Sequence, residues 1–212
     1  MTLDAASSIH RKHRARFEVR PLTTANWGDL VALFERPGAS VPRSCWCMHY
    51  RESGRGTVPD GKRPAAARRD ALRALVEAGE VPGLIGYLRG EPIGWVSLGP
   101  RAGYRRLARS PAMKPVDDRP VWSIVCFFVD ARCRGQGTAR ALLNGAQDWA
   151  RTRGVDLLEA YPDDKPGESA AEFMWFGARS MFDAQGFVEV ARRKPTRPVM
   201  RKRLARRADT GT

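Results

Sequence analysis

Three segments of the chain repeat apolar residues at helical spacing and predict amphipathic helices. The first ends at Pro37-Gly38 and buries one face: Trp27, Leu30, Val31 and Phe34. The second covers residues 64–77 and turns four residues inward: Ala71, Leu72, Leu75 and Val76. The third ends at Gly154 and has a continuous apolar face between Ala139 and Ala150. A shorter fourth helix over 178–185 is predicted to end at Gly186.

Runs of β-branched and aromatic residues between these helices predict strands. Residues 83–88 and 93–98 flank a short turn and predict a hairpin. Residues 121–129 are apolar without alternation, which is typical of a central strand covered on both faces. A strand at 157–161 follows the third helix, so this strand, the helix and the central strand form a parallel crossover unit. Shorter strands are predicted at 17–20, 187–191 and 199–204.

Three segments lack a regular spacing and are predicted to be irregular: 42–63, 99–120 and 162–176. The first is expected to be a long, ordered loop. At the end of the third, Trp175 and Phe176 could form the floor of a pocket or pack under the last helix, and packing in the core is the favoured alternative. Strands and helices in this order predict the α/β class with a mixed (α+β) sheet.

Length and charge limit the organisation of the chain. The 212 residues, 42% of them hydrophobic, predict one domain over 17–205, with a basic tail at 1–16 and a second tail at 206–212. No apolar run approaches the roughly 20 residues that span a bilayer, and no secretory signal is evident, so we expect a cytoplasmic protein with no membrane partner. The four cysteines are then expected to stay reduced.

The net charge of +14 predicts attraction to anions in general, which include nucleic acids, phosphorylated cofactors and acidic substrates. Much of the excess lies in Arg and Lys clusters at the two ends, and solvated tails account for such clusters without a ligand. Nucleic-acid binding therefore stays a less favoured alternative.

A glycine-bearing loop between the central strand and the third helix predicts a phosphate site. Gly135 and Gly137 allow a tight turn and a close approach of backbone, and the helix that follows presents unpaired amides at its positive end. The loop lacks the Lys that a Walker loop needs. It also has Arg140 at the third glycine position of the dinucleotide fingerprint, and five residues separate Val129 from Gly135.

The segment Arg134-Gly135-Gln136-Gly137-Thr138-Ala139 resembles the Arg/Gln-x-x-Gly-x-Gly/Ala signature of the GNAT superfamily of N-acetyltransferases. The same signature can be aligned two residues earlier, from Arg132 to Gly137, but the distance from the strand favours the later register. The order of predicted elements over about 17–205 and the segment 180–187 are also similar to this family. The resemblance implies a GNAT-like fold, a twisted mixed sheet of about six or seven strands with two splayed central parallel strands and flanking helices.

The resemblance also implies acetyl-CoA as co-substrate and an amine as acceptor. The pantetheine arm would pair with the backbone of Phe127, Phe128 and Val129, and a free backbone N–H near Phe127 or Phe128 would stabilise the oxyanion. The pyrophosphate would lie on the loop and the start of the helix, which gives these further cofactor residues: Arg134, Gly135, Gln136, Gly137, Thr138, Ala139 and Arg140.

Two family positions differ in this chain. Phe182 stands where many members have a tyrosine acid, and Ser123 stands where some have a glutamate base. The catalytic candidates that remain are Tyr161, as acid at the end of its strand, Ser123 and His49, with Glu159, Glu52 and Cys126 as further options. Because these acid and base residues are missing, a binding module or sensor with reduced catalysis and basic nucleic-acid-binding tails stays the alternative function.

The segment Cys45-Trp46-Cys47-Met48-His49 raises the question of a zinc site. Cys126 and Cys133 lie far from it in sequence and no second Cys-x-x-Cys pair is present, so we expect no metal. The loop either closes the core or lines the acceptor pocket. In the second case the substrate-binding residues are Trp46, Tyr50 and Arg51, with Glu159 from the second splayed strand. A homodimer is a further assembly option.

Overall fold

The computed structural model describes residues 17–52, 64–165 and 175–205. A seven-stranded sheet with the order β1-β2-β3-β4-β5-β7-β6 runs through these residues, and only the β4–β5 pair is parallel. Its strands are β1 (Phe17–Pro21), β2 (Gly83–Leu88), β3 (Glu91–Pro100), β4 (Trp122–Val129), β5 (Leu157–Ala160), β6 (Val188–Lys194) and β7 (Arg197–Arg203). The predicted mixed sheet, its hairpin and its parallel crossover are therefore confirmed.

Six α-helices accompany the sheet in the described ranges: α1 (Trp27–Phe34), α2 (Ser40–Cys45), α3 (Pro64–Glu77), α4 (Arg105–Arg109), α5 (Thr138–Thr152) and α6 (Arg179–Asp183). Helices α2 and α4 lie in segments predicted to be irregular, and this prediction was wrong there. Each has five or six residues and buries a single side chain, Pro42 in α2 and Leu107 in α4, so neither produces a readable apolar period.

The two faces of the sheet are covered by different helices. On one face, α5 buries four residues against the strands: Leu142, Leu143, Ala146 and Ala150. On the other face, α1 and α3 pack around Trp46 and Trp95. The inward face of α3 is narrower than predicted, because Leu72 and Val76 are buried while Ala71 is exposed.

The central parallel strands separate soon after they pair. β4 and β5 share three residue pairs, which end at Ile124 and Ala160, and β4 then continues to Val129 paired with β3 but not with β5. Val125 is an extra residue opposite β3, because Ser97 pairs with Cys126 and Leu98 with Ile124. Such a bulge bends and twists its strand, so one edge of β4 opens in the middle of the sheet. The predicted splay is confirmed.

Some expectations fall on residues outside the described ranges. They are the two tails at 1–16 and 206–212, most of the basic clusters in them, and parts of the predicted loops at 53–63 and 166–174. The division into one domain and two tails stays a prediction. Across the described residues, no helix has the length and apolar character needed to cross a membrane.

Candidate active site

A cavity of about 670 Å³ lies where the edge of β4 opens. It is bounded by the end of β4, the glycine loop, residues 38–42 and the start of α6. Nine of the ten residues predicted to hold the cofactor line it: Phe127, Phe128, Val129, Arg134, Gly135, Gly137, Thr138, Ala139 and Arg140. Gln136 does not, because its side-chain amide donates to the carbonyl of Arg132 at 2.9 Å.

The glycine loop enters α5 through left-handed backbone. Gly135 has φ 72° and Gly137, the residue before the helix, has φ 81°. A Cβ at either position would have open space within 4 Å, so backbone conformation rather than crowding by the protein calls for glycine. Thr138 donates its hydroxyl to the carbonyl of Cys133 at 3.0 Å and fixes the turn. The first amides of this 15-residue helix have no partner within the helix, which makes the loop suited to bind an anion.

Ion pairs between two arginines and two carboxylates fix the start of the glycine loop. Asp130 is buried and accepts the backbone N–H of Arg132 at 3.0 Å. Hydrogen bonds from Arg132 and Arg36 lower the pKa of the Asp130 carboxyl, and both arginines also pair with Glu91, at 2.7 and 3.0 Å. Arg132 is therefore committed to the support of the loop, while Arg134 bonds the carbonyl of Val129 at 3.1 Å and borders the cavity.

The open edge of β4 carries backbone groups that a ligand can use. Asp130 donates its N–H to Ile93 of β3 at 2.9 Å, so by strand alternation the Phe128 N–H also faces β3. The Phe127 N–H faces the opening and donates to the carbonyl of Trp175 at 2.6 Å. The expectation of a free N–H at Phe127 or Phe128 was thus wrong, because the chain satisfies its own strand edge.

A second cavity of about 280 Å³ lies mainly on the sheet face opposite α5. It shares Phe127, Phe128 and Trp175 with the first cavity, so the two meet at the end of β4. Its walls are largely apolar and aromatic, with these polar or sulfur-bearing members: Ser44, Cys45, Cys47, His49, Tyr50, Arg68 and Cys126. No Asp or Glu of the described residues lines it. We call it the acceptor cavity.

Two ionisable side chains of the acceptor cavity have shifted pKa values. The rings of His49 and Tyr50 meet edge to face, with centroids 4.9 Å apart. Desolvation, with the charges of Arg106 and Arg68, lowers the pKa of His49 below its ordinary value of 6.5. Burial raises the pKa of Tyr50 to about 12. Near neutral pH the cavity therefore presents a neutral imidazole and a protonated phenol.

Comparison with known proteins decides the family. The sequence matches the model of the acetyltransferase (GNAT) family over residues 46–176, more than half of the chain. The chain belongs to the GNAT acetyltransferase family. No curated protein matches it.

Two solved structures illustrate the likeness. One, described as belonging to the GNAT family, comes from Desulfovibrio desulfuricans; it is 14% identical with a TM-score of 0.52, and the match covers 90% of this chain and 100% of the other. The second comes from Pyrococcus horikoshii; it is 15% identical with a TM-score of 0.50, and the match covers 89% and 98% of the two chains. At such identities the structures show the fold alone.

In this GNAT chain, two of the predicted substrate residues in the loop after α2, Trp46 and Arg51, lie outside both cavities. Trp46 is 2% exposed and packs between the rings of Trp27 and Phe34, at 5.9 and 5.3 Å. Arg51 donates to the Tyr104 hydroxyl at 3.1 Å and lies over its ring. Both placements favour a structural role. Of the predicted residues of this loop, Tyr50 and His49 line the acceptor cavity.

The remaining predicted residues, Tyr161, Ser123 and Glu159, form a buried network on the GNAT sheet. Tyr161 donates its hydroxyl to Glu159 at 2.6 Å and lies 2.9 Å from the Ser123 hydroxyl. Arg101 bonds both Tyr161 and Glu159, and Arg201 donates to Glu159 at 2.7 Å. None of the three predicted residues lines either cavity. This placement argues against the acid role predicted for Tyr161.

Several residues of the acceptor cavity were missed in the sequence. Cys45 and Cys47 were considered as metal ligands only, yet both line the cavity, together with Cys126, which was a further option for the site. Burial raises the pKa of Cys45 to about 11, so it behaves there as a neutral, weakly polar group. Trp175 is 38% exposed and lines both cavities, so its expected place in the core was wrong, whereas Phe176 packs in the core and also lines the acceptor cavity.

A protein metal site requires several His, Cys, Asp or Glu side chains close together. Over the ranges 17–52, 64–165 and 175–205, no three His, Cys, Asp or Glu side chains are arranged to hold a metal ion. That the protein needs no metal stays a prediction.

Proposed function

We propose that the protein transfers an acetyl group from acetyl-CoA to a primary amine, by direct attack of the amine on the thioester. The observation that carries the proposal is the meeting of two cavities at Phe127 and Phe128. One cavity ends at an anion-binding glycine loop, and the other contains a neutral imidazole and a phenol. Donor and acceptor can therefore approach each other from different sides of the sheet.

The first cavity offers groups for two parts of the cofactor, its pyrophosphate and its pantetheine arm. The amides between Gly135 and Arg140 would bind the pyrophosphate, with the side chains of Arg134 and Arg140 at its border. The pantetheine arm would run along the open edge of β4 at Val129 and bring the thioester to Phe127. This placement agrees with the register of the glycine signature that begins at Arg134.

The Phe127 N–H would then stabilise the oxyanion. It donates to the Trp175 carbonyl within the chain, and the thioester oxygen would take the place of that carbonyl. The amine nitrogen forms a bond to the carbonyl carbon, and the C–S bond breaks as the tetrahedral intermediate collapses. The amide product keeps the acetyl group, and coenzyme A leaves as a thiol after it gains a proton.

His49 and Tyr50 are the groups of the acceptor cavity that can move protons. The lowered pKa of His49 keeps its imidazole neutral, so it can accept the proton that the attacking amine loses. The pKa of about 12 keeps Tyr50 protonated, so its hydroxyl can donate to the departing thiolate. These two residues replace Tyr161 in our proposal. Ser123 and Glu159, which bond to Tyr161 and Arg201 in the buried network, would stabilise the sheet.

The function is tested by thiol release from acetyl-CoA in the presence of a panel of primary amines, with the acetylated product identified by mass spectrometry. We expect release only with an amine present and a mass increase of one acetyl group on that amine. Calorimetry should show one acetyl-CoA bound per chain. Binding without transfer to any amine would contradict the proposal and support the alternative, a cofactor-binding module.

His49→Gln is expected to lower kcat/KM by about 10²-fold, because the variant removes the base without changing the apolar walls. In the wild type, kcat/KM should rise with pH through a midpoint below 6.5, since the lowered pKa keeps the imidazole neutral down to that range. The rise should be lost in the variant. Initial rates between pH 5 and 9 measure both effects.

Tyr161→Phe is the matched control for this variant, because its hydroxyl lies in the buried network and outside the acceptor cavity. We expect its kcat/KM to stay within about threefold of the wild type, the scale of an indirect effect. A loss of about 10²-fold in Tyr161→Phe with an unchanged His49→Gln variant would return the catalytic role to Tyr161.

A further inference from the structure

A groove of about 510 Å³ adjoins the acceptor cavity on its outer side. The two share Tyr50 and Phe176, whose rings lie 5.3 Å apart. These rings therefore form a wall common to the acceptor cavity and the groove. The far side of the groove is formed by the end of β6, the start of β7 and residues 110–113.

The charge of this groove is of one sign. Arg193, Lys194 and Arg197 line it, and no Asp or Glu of the described residues does. Arg197 is partly neutralised, because it pairs with Asp163 at 2.6 Å and lies over the ring of Phe176. Arg193 instead donates to two backbone carbonyls, of Lys114 at 2.7 Å and Pro115 at 3.0 Å. These bonds hold the guanidinium in place without cancelling its charge, and they use two of its five hydrogens.

In the described part of the chain, the acceptor cavity lacks a negatively charged partner for an ammonium group, whereas the groove has cations that can bind another part of the acceptor. Its lining in the described residues contains no carboxylate to pair with an ammonium group, and the nearby Glu52 is held by Arg68 at 2.9 Å. Attraction of the amine itself therefore contributes little to acceptor binding. A second, negatively charged group on the acceptor would supply that attraction at the groove, beyond the rings of Tyr50 and Phe176.

We infer that the acceptor is an amine on an apolar or aromatic body that also carries an oxyanion, a carboxylate or a phosphoryl group. The amine and the body lie in the acceptor cavity, and the oxyanion lies in the groove against Arg193 and Lys194. This inference rests on the proposed acetyl transfer and names the chemical class of its acceptor. The groove lies outside the cofactor cavity, so it affects the acceptor and not acetyl-CoA.

The test compares amines that differ only in the anionic group. The probes are benzylamine, 4-(aminomethyl)benzoate and 4-(aminomethyl)phenylphosphonate, and a longer pair, 2-phenylethylamine and 4-(2-aminoethyl)benzoate. At low ionic strength we expect kcat/KM to be about tenfold or more higher for the anionic member of at least one set, mainly through a lower KM. The preference should fall as salt is added. The carboxylate and phosphonate arms show which oxyanion the groove prefers.

The double variant Arg193→Gln/Lys194→Gln should bring the ratio of anionic to neutral kcat/KM close to one, with the value for the neutral amine unchanged. Lys194→Glu, which leaves the anchored Arg193 in place, removes the same two units of positive charge and should also bring the ratio close to one. Arg153→Gln removes a charge that lies at the end of α5 and lines neither cavity nor groove, and it should keep the wild-type ratio.

The possible failures are distinguishable. Transfer to the neutral amines at equal kcat/KM, or a preference that survives the double variant, overturns the inference and leaves the acetyl transfer standing. If no amine is acetylated, the proposed function fails, and calorimetry of 4-(aminomethyl)benzoate against benzylamine with coenzyme A-saturated protein then decides the groove. Equal or absent binding of the two ligands overturns the inference in that case.

Discussion

In the Gly137→Val variant we expect the Kd of acetyl-CoA to rise by about 10²-fold, equivalent to about 2.7 kcal/mol. Gly137 has φ 81°, a left-handed conformation that a β-branched residue adopts only at high cost. The loop would move out of register with the first amides of α5, and the new side chain would stand beside the place of the pyrophosphate. Calorimetry with acetyl-CoA measures the change.

Gly154→Val provides a matched control. Gly154 has φ 69°, has open space around a Cβ as Gly137 does, and follows the opposite end of α5, away from the cavity. Both variants should lose unfolding free energy by a similar amount, about 1–3 kcal/mol for backbone strain. Only Gly137→Val should change the Kd. An unchanged Kd in a folded Gly137→Val protein would show that the phosphates bind elsewhere.

Glu159→Gln should lower the unfolding free energy by about 3–5 kcal/mol, because it removes one partner from a buried ion pair. The Glu159 side chain is fully buried and pairs with Arg201, which is 4% exposed, and with Arg101. The amide can keep some of the hydrogen bonds but not the charge, so two guanidinium groups lose their carboxylate in the interior. Urea unfolding, read by circular dichroism, gives the difference.

An exposed pair shows how much of that loss comes from burial. Glu77 pairs with Arg73 at 2.8 Å on the surface of α3, and both side chains are more than half exposed. Glu77→Gln should change the unfolding free energy by less than about 0.5 kcal/mol. If the two Glu→Gln variants lost the same stability, Glu159 would not owe its effect to the buried arginines. Arg201 keeps its ion pair with Asp117, at 2.7 Å, in the Glu159→Gln variant, and this pair limits the loss of unfolding free energy.

The sheet and its longer helices follow from local patterns, which is why they were predictable. An apolar run without alternation, such as residues 121–129, indicates a covered strand, and the face of α5 repeats over four turns. Helices α2 and α4 each bury one residue, so the sequence contains no period to read. The bulge at Val125 was not predictable from the local sequence either, because it depends on how β4 pairs with β3.

The candidate site also has one part that was predictable from the sequence and one part that was not. The predicted cofactor residues lie in two short runs close in sequence, 127–129 and 134–140, and nine of the ten line a single cavity. The acceptor cavity is assembled from residues of α2, α3, β4 and the segment before α6, and only the folded chain brings His49 and Cys126 together. The exclusion of Tyr161 from it depends on Arg101 and Arg201, which are distant in sequence.

The bond from Phe127 to the Trp175 carbonyl has a consequence for solubility during folding. An unpaired strand edge is a template for a strand of another molecule, and β4 exposes such an edge inside its sheet. The Trp175 carbonyl covers the Phe127 amide within the same chain. This amide is thereby kept from pairing with a strand of another molecule.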